Sequence, residues 1–132
     1  MRAHWLKTIG HARGPLPDRW IEAGRAGSLT RTGFPRRPRI EPGDRLVYYA
    51  AVWRRVFAVV EVTAGPVVLE GASERWPWSV AVEPLLVIGV LDAAPPVEAI
   101  GVPARSLSQH SHIRIEARHY ERAIEAIASV AR

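Results

Sequence analysis

The stretch Arg39–Thr63, RIEPGDRLVYYAAVWRRVFAVVEVT, limits the possible folds more than any other part of this chain. Pro42-Gly43-Asp44 reads as a tight turn, with proline presetting φ at the first corner and glycine supplying positive φ at the second. Two apolar runs follow, Leu46–Val52 and Val56–Val62, with a polar tip at Arg54-Arg55 between them. Val, Tyr and Phe fill both runs, as strands prefer. In the first run Leu46, Tyr48, Ala50 and Val52 point one way, and Val47, Tyr49, Ala51 and Trp53 point the other. Both sets are apolar, so the strand needs cover on both faces. The expected structure is a hairpin at the centre of a small closed or nearly closed barrel. The other segments supply the remaining staves and the lids.

With 132 residues, the chain reads as one domain, 1–132, able to bury a core without cross-links. It has no cysteine, which excludes disulfides and thiolate metal sites. The longest apolar run, Leu85–Leu91, is too short to span a bilayer, so no membrane role is expected. The N-terminus lacks an apolar signal core, and the expected location is cytoplasmic. A net charge of +5 and a pI near 10.7 favour polyanionic partners. Lys7 is the lone lysine among the basic residues. That arginine skew, with abundant Ala, Gly, Pro and Val, is also what GC-rich coding yields without any functional demand.

Taken in order, Ala3–Ile9 reads as a strand and Gly10–Pro17 as a loop. Asp18 can cap a short helix through Ala23. Gly27–Pro38 reads as a long, irregular, basic segment of the kind used as a binding loop. After the hairpin come a turn at Gly65-Pro66, an aromatic corner Trp76-Pro77-Trp78, and strands Ser79–Val82 and Leu85–Leu91. Glu83-Pro84 between them marks a bulge, bend or strand switch, because proline cannot donate to a ladder. Val97–Val102 can hold one helical turn, and Ile113–Ile115 is a last strand. Tyr120, Ala123, Ile124, Ile127 and Val130 form one apolar stripe on a helix over Ala117–Ala131.

Two features could carry chemistry. The first is the set of five tryptophans, with Trp5, Trp53, Trp76 and Trp78 at strand ends and corners. Aromatic residues there can line a barrel mouth and stack a flat ring, at about 1–3 kcal/mol per stacked base. They can equally serve core and rim packing. The second is Arg105–His112, RSLSQHSH, dense in groups able to read a base edge, a phosphate or a hydroxyl. Its side chains can also satisfy their own loop backbone. His110, His112 and His119 have no carboxylate at metal-ligand spacing, so neither a metal nor a cofactor is expected. No nucleophile elbow, Walker or dinucleotide glycine pattern occurs.

The order of these segments resembles the EVE domain of the PUA-like superfamily. The resemblance rests on the Trp-bearing first strand, IEPGDRLVYYA, the return FAVVEVT, WPWSVAVEPLLVI, and RSLSQHSHIRIEARHYERAIEAI. It extends from about Ala3 to Val130. It implies an α+β, PUA-like pseudo-β-barrel of five to six mostly antiparallel strands, with a C-terminal helix and short helices packed around it. It also implies a pocket at the barrel mouth that accepts one flipped, often modified, nucleobase. The related YTH domains bind a methylated adenine through aromatic cages. Carried over by position, the base-binding candidates are Trp5, Lys7, Tyr49, Trp53, Trp78, Arg105, Ser106, Gln109 and His110. The chain departs from the family where SLTRTGFPRRP replaces the usual tryptophan-and-glycine stretch ahead of the Gly43-Asp44 strand.

The expected function is therefore a nucleic-acid-binding module, monomeric or weakly dimeric, that captures a single modified base of RNA or DNA. Trp53 and Trp78 or Trp5 would sandwich the base, and Ser106 and Gln109 would read its edge. Arg36, Arg37, Arg54, Arg55 and Arg105 would meet phosphates. One alternative is an amidohydrolase like those among ASCH domains, with Lys7 as base beside Glu61 or Asp44. Another is a domain that binds a small ligand or a protein.

Overall fold

The computed structural model describes residues 2–131. Six strands form one mixed sheet: β1 His4–Ile9, β2 Arg31–Phe34, β3 Arg45–Ala50, β4 Arg55–Val68, β5 Trp78–Val87 and β6 His112–Ile115. Their order is β2-β5-β4-β3-β1-β6. The β1–β3 pairing is parallel and the other four are antiparallel. The sheet curls into an α+β pseudo-barrel, and one helix, α1 (Ala117–Val130), packs against β4 and β5.

The hairpin predicted from the sequence is its centre. The Asp44 amide donates to the Glu41 carbonyl (3.1 Å), closing the turn, and Gly43 takes φ 94° at the second corner. Every residue from Leu46 to Ala50 is buried, as a strand covered on both faces requires. Trp20 meets Phe57 edge-on at 5.0 Å in the core. Arg45 ties three elements together, donating to Glu61 on β4 (2.8 Å) and to the Tyr120 hydroxyl on α1 (2.7 Å). On α1, Tyr120, Ala123 and Ile127 of the predicted stripe are buried, Ile124 is half-buried, and Val130, in the last turn, is exposed.

Several expectations are corrected. Asp18–Ala23 forms consecutive turns, not a helix. Six residues cannot sustain a helix alone, and tertiary bonds take over. Trp20 Nε1 donates to the Ile88 carbonyl (2.9 Å), and Asp18 accepts from the Asp92 amide (2.8 Å). The segment read as a loop, Gly27–Pro38, contains an edge strand, β2, paired with β5. Gly65-Pro66 is not a turn but lies inside the 14-residue strand β4. Pro66 is tolerated because β3 pairs with β4 only as far as Glu61, leaving that flank free. A Cβ on Gly65 would come within 2.9 Å of the Ser79 carbonyl oxygen, so only glycine lets the two strands approach there. The two strands expected around Glu83-Pro84 are one, β5. Its pairing slips by one residue opposite Val59 and Val60, which makes Leu85 the bulge.

The two free edges, β2 and β6, do not hydrogen-bond to each other. Side chains bridge them instead, with Phe34 on β2 meeting His112 on β6 edge-to-face at 5.0 Å. The open seam of the barrel is thus closed by aromatic packing, and the candidate site lies along it.

Candidate functional site

A groove of about 870 Å³ runs along the seam. Its floor is Thr8, at the end of β1, with Gly10 and His11 just after the strand. One wall is the late loop, Leu107–Ser111, and another is the corner holding Arg75 and Trp76. The late loop is pinned over β1 because the Thr8 amide donates to the Ser111 carbonyl (2.9 Å). Arg54, on the β3–β4 turn, completes the rim at φ 58°. A smaller recess of about 280 Å³ adjoins the groove, sharing Thr8, Gly10, His11 and Trp76 with it. Lys7, Ser28, Arg31 and Thr32 line its depth.

Lys7 is the electrostatic centre of the recess. It is 4% exposed, and desolvation lowers its pKa to about 7. Its Nζ donates to the Thr8 carbonyl (2.9 Å) and lies 4.8 Å from the Phe34 ring centre and 5.6 Å from that of Trp76. Among the described residues no carboxylate pairs with it. Cation–π attraction to the two rings is what partly compensates the buried charge. His112, paired with Lys7 across β1 and β6, has its pKa lowered by burial first and by Lys7 second. Across the recess, the Oγ of Ser28 is out of contact with solvent and has no hydrogen-bond partner among the described residues.

The sequence candidates divide. Tyr49, Arg54, Arg105, Gln109 and His110 all line the groove, and Lys7 lines the recess. Ser106 lies in a 3-10 turn, Ala104–Leu107, and is not on the groove wall. The sandwich of Trp53 with Trp78 or Trp5 does not form, because each indole has a structural task. Trp5 donates to the buried carboxylate of Asp44 (3.0 Å). Trp53 donates to the Leu16 carbonyl (2.8 Å). Trp78 sits opposite Phe34 in the β2–β5 register, beneath the Arg37 guanidinium at 5.3 Å. Arg36 and Arg37 are exposed on the loop after β2, just past Pro35 at the groove edge. Arg55 is not free for phosphate, since it donates to the Asp92 and Ala94 carbonyls (2.6 and 2.9 Å).

The indole on the groove is Trp76, half-buried and common to both cavities. In sequence it was one of two equivalent tryptophans flanking Pro77. No sequence signal separates the two; the structure does, since a Cβ on Gly33 would lie 3.4 Å from the Trp76 Cβ, so the corner packs against β2 at a glycine. Neither carboxylate expected beside Lys7 is there. Asp44 is held by Trp5 and by the amides of Ala3 and Glu41, and Glu61 by Arg45 and Arg2. The lysine–carboxylate pair expected of a hydrolase is therefore not assembled. His119 accepts from the Glu116 amide in the cap of α1. No group of three or more His, Asp or Glu able to hold a metal occurs among the described residues. No helix among them is long and apolar enough to cross a membrane.

No family model and no curated protein matches the chain. Solved structures do. Rpa0253 from Rhodopseudomonas palustris aligns over 98% of this chain and 96% of its own, at 13% identity and a TM-score of 0.59. Atu2648 from Agrobacterium tumefaciens covers 96% and 92%, at 14% identity and 0.57. A hypothetical protein from Leishmania major covers 100% and 98%, at 11% identity and 0.58. Identities this low speak to architecture alone: the chain shares the α+β pseudo-barrel fold of these three proteins.

Proposed function

We propose that this protein is a nucleic-acid-binding module that captures one nucleobase, plain or modified, in the groove along the barrel seam. The observation that carries this reading is the placement of Trp76. A half-buried indole borders a groove of about 870 Å³ whose rim also holds the exposed arginines Arg54, Arg75 and Arg105. An indole face stacks any planar base, and guanidinium groups meet the phosphates on either side. A pocket of this volume suits a nucleotide-sized ligand. Extruding a base from its stack costs a few kcal/mol, which stacking and phosphate contacts together can offset. The side chains of Gln109 and His110 and the backbone of the late loop are placed to bond the base or its sugar. The recess beneath the indole is where a change to the base edge would be felt.

Titration of intrinsic tryptophan fluorescence with short single-stranded RNA and DNA tests this. Binding should quench the emission and weaken as salt rises. Trp76→Ala should weaken binding at least tenfold, while Trp53→Phe, whose indole is turned to the Leu16 carbonyl and is not on the groove wall, should leave it within about twofold. Absence of salt-sensitive quenching with every oligonucleotide, plain or modified, would exclude the reading.

A further inference from the structure

We propose that Lys7 makes the recess selective for ligands that present a hydrogen-bond acceptor, a keto oxygen or a carboxylate, and selective against amino or cationic edges. This rests on the base-capture reading and specifies which edge of the base the site accepts.

An aromatic enclosure is ordinarily a trap for a cationic ligand. Here the chain fills it with its own amine. Lys7 Nζ lies over Phe34 and near Trp76, and Trp5 and His112 pack beside them, their rings 5.6 Å apart. A methylated ammonium or a protonated base entering this enclosure would meet like charge. Below pH 7 Lys7 is mainly the ammonium, which has three donors and uses one, toward the Thr8 carbonyl. The other two have no protein acceptor among the described residues. A buried donor without a partner is destabilising, so a ligand gains most by supplying the missing acceptor. An exocyclic amino group would set donor against donor at this point. A site that reads a polar group this way discriminates strongly, because the wrong edge leaves its buried groups unpaired. His112 on β6, His11 after β1 and Arg31 on β2 are the other titratable or charged groups around the recess. None of them supplies an anion.

The single lysine permits a direct test. In protein carrying 13C-labelled lysine, the Cε resonance reports Lys7 alone. At pH 6, where Lys7 is mainly protonated, it is titrated with uridine and cytidine monophosphates, and with inosine and adenosine monophosphates. Each pair exchanges a keto oxygen for an amino group. Uridine and inosine monophosphates should shift the resonance and raise the pH at which it titrates, and should bind at least tenfold more tightly than their amino partners. Lys7→Met should remove that preference, and Lys7→Arg should retain part of it. Equal shifts with all four, or a preference surviving in Lys7→Met, would overturn the inference. If oligonucleotides quench tryptophan emission while no nucleotide moves the lysine signal, base capture stands and selection by Lys7 falls. If neither signal moves with any ligand, both fall.

Discussion

A lysine with no carboxylate partner inside a barrel wall is destabilising, and the sign of its pH dependence follows from burial. Lys7 titrates at about 7 in the folded chain, against an ordinary 10.5. Between these values the unfolded chain binds a proton that the folded chain does not, so stability rises with pH across that interval. Below pH 7 both states carry the proton and the desolvation penalty is fully felt. At 1.36 kcal/mol per pH unit the whole effect is on the order of 5 kcal/mol. Lys7→Met keeps an unbranched side chain one atom shorter and removes the charge. Urea denaturation should find the variant more stable than wild type at pH 6, with the difference shrinking by about 3 kcal/mol by pH 9. His112 contributes with the same sign, because its pKa is also lowered, but it does so below its ordinary 6.5; the larger part, due to burial, is present in both proteins, and the part due to Lys7 is lost in Lys7→Met. A difference that did not change with pH would mean that the amine is not desolvated. Retaining so unfavourable a group at one position is the pattern expected of a site, where stability is given up for recognition.

At the scale of elements, the turn Glu41–Asp44 decides where β1 lies. The Asp44 carboxylate is buried and accepts three bonds, from the Ala3 amide, the Trp5 indole and the Glu41 amide. It therefore fixes the start of β3 and the start of β1 together, and the parallel pairing between them follows. Asp44→Ala would leave three donors unpaired at one buried point. Thermal and urea unfolding should show a loss of about 3 kcal/mol or more. Asp44→Asn, which keeps an acceptor, should lose less. An alanine variant as stable as wild type would show that β1 is held by its ladder alone. The hairpin and α1 were legible because their periodicities are strong and local. The carboxylate cluster was not, since its three donors come from opposite ends of 40 residues of chain. Edge strand β2 was hidden by Gly33 and by the arginines in and after it, Arg31, Arg36 and Arg37. Glycine reads as loop until it is known that Trp76 lies against it. The tryptophans misled for a related reason. A sequence shows that an indole sits at a strand end but not which carbonyl or carboxylate its N–H will find, and two of the four expected at the mouth, Trp5 and Trp53, were already committed to such partners.

At the scale of the molecule, the question is which of the positive charges act together. Arg54, Arg75 and Arg105 come from the β3–β4 turn, the corner before β5 and the 3-10 turn ahead of the late loop, and they meet only because the sheet curls its ends toward one seam. For a single strand, each phosphate neutralised contributes a slope of about −0.7 to the dependence of log K on log salt. Three contacts give a slope of about −2, modest for a chain of net charge +5. Each of Arg54→Ala, Arg75→Ala and Arg105→Ala should reduce the slope by about 0.7 and weaken all sequences alike, because phosphate contacts carry no sequence information. Arg55→Ala is the contrast. Its neighbour in sequence lines the groove, but its own guanidinium bonds two carbonyls of the Leu91–Ala94 turn. Its loss should leave the slope unchanged and lower the unfolding temperature. Fluorescence anisotropy at several salt concentrations separates the two behaviours. Equal effects at Arg55 and Arg54 would show that binding follows the overall charge of the molecule and not the groove. A full slope that persists through all three groove substitutions would place the phosphates on another face.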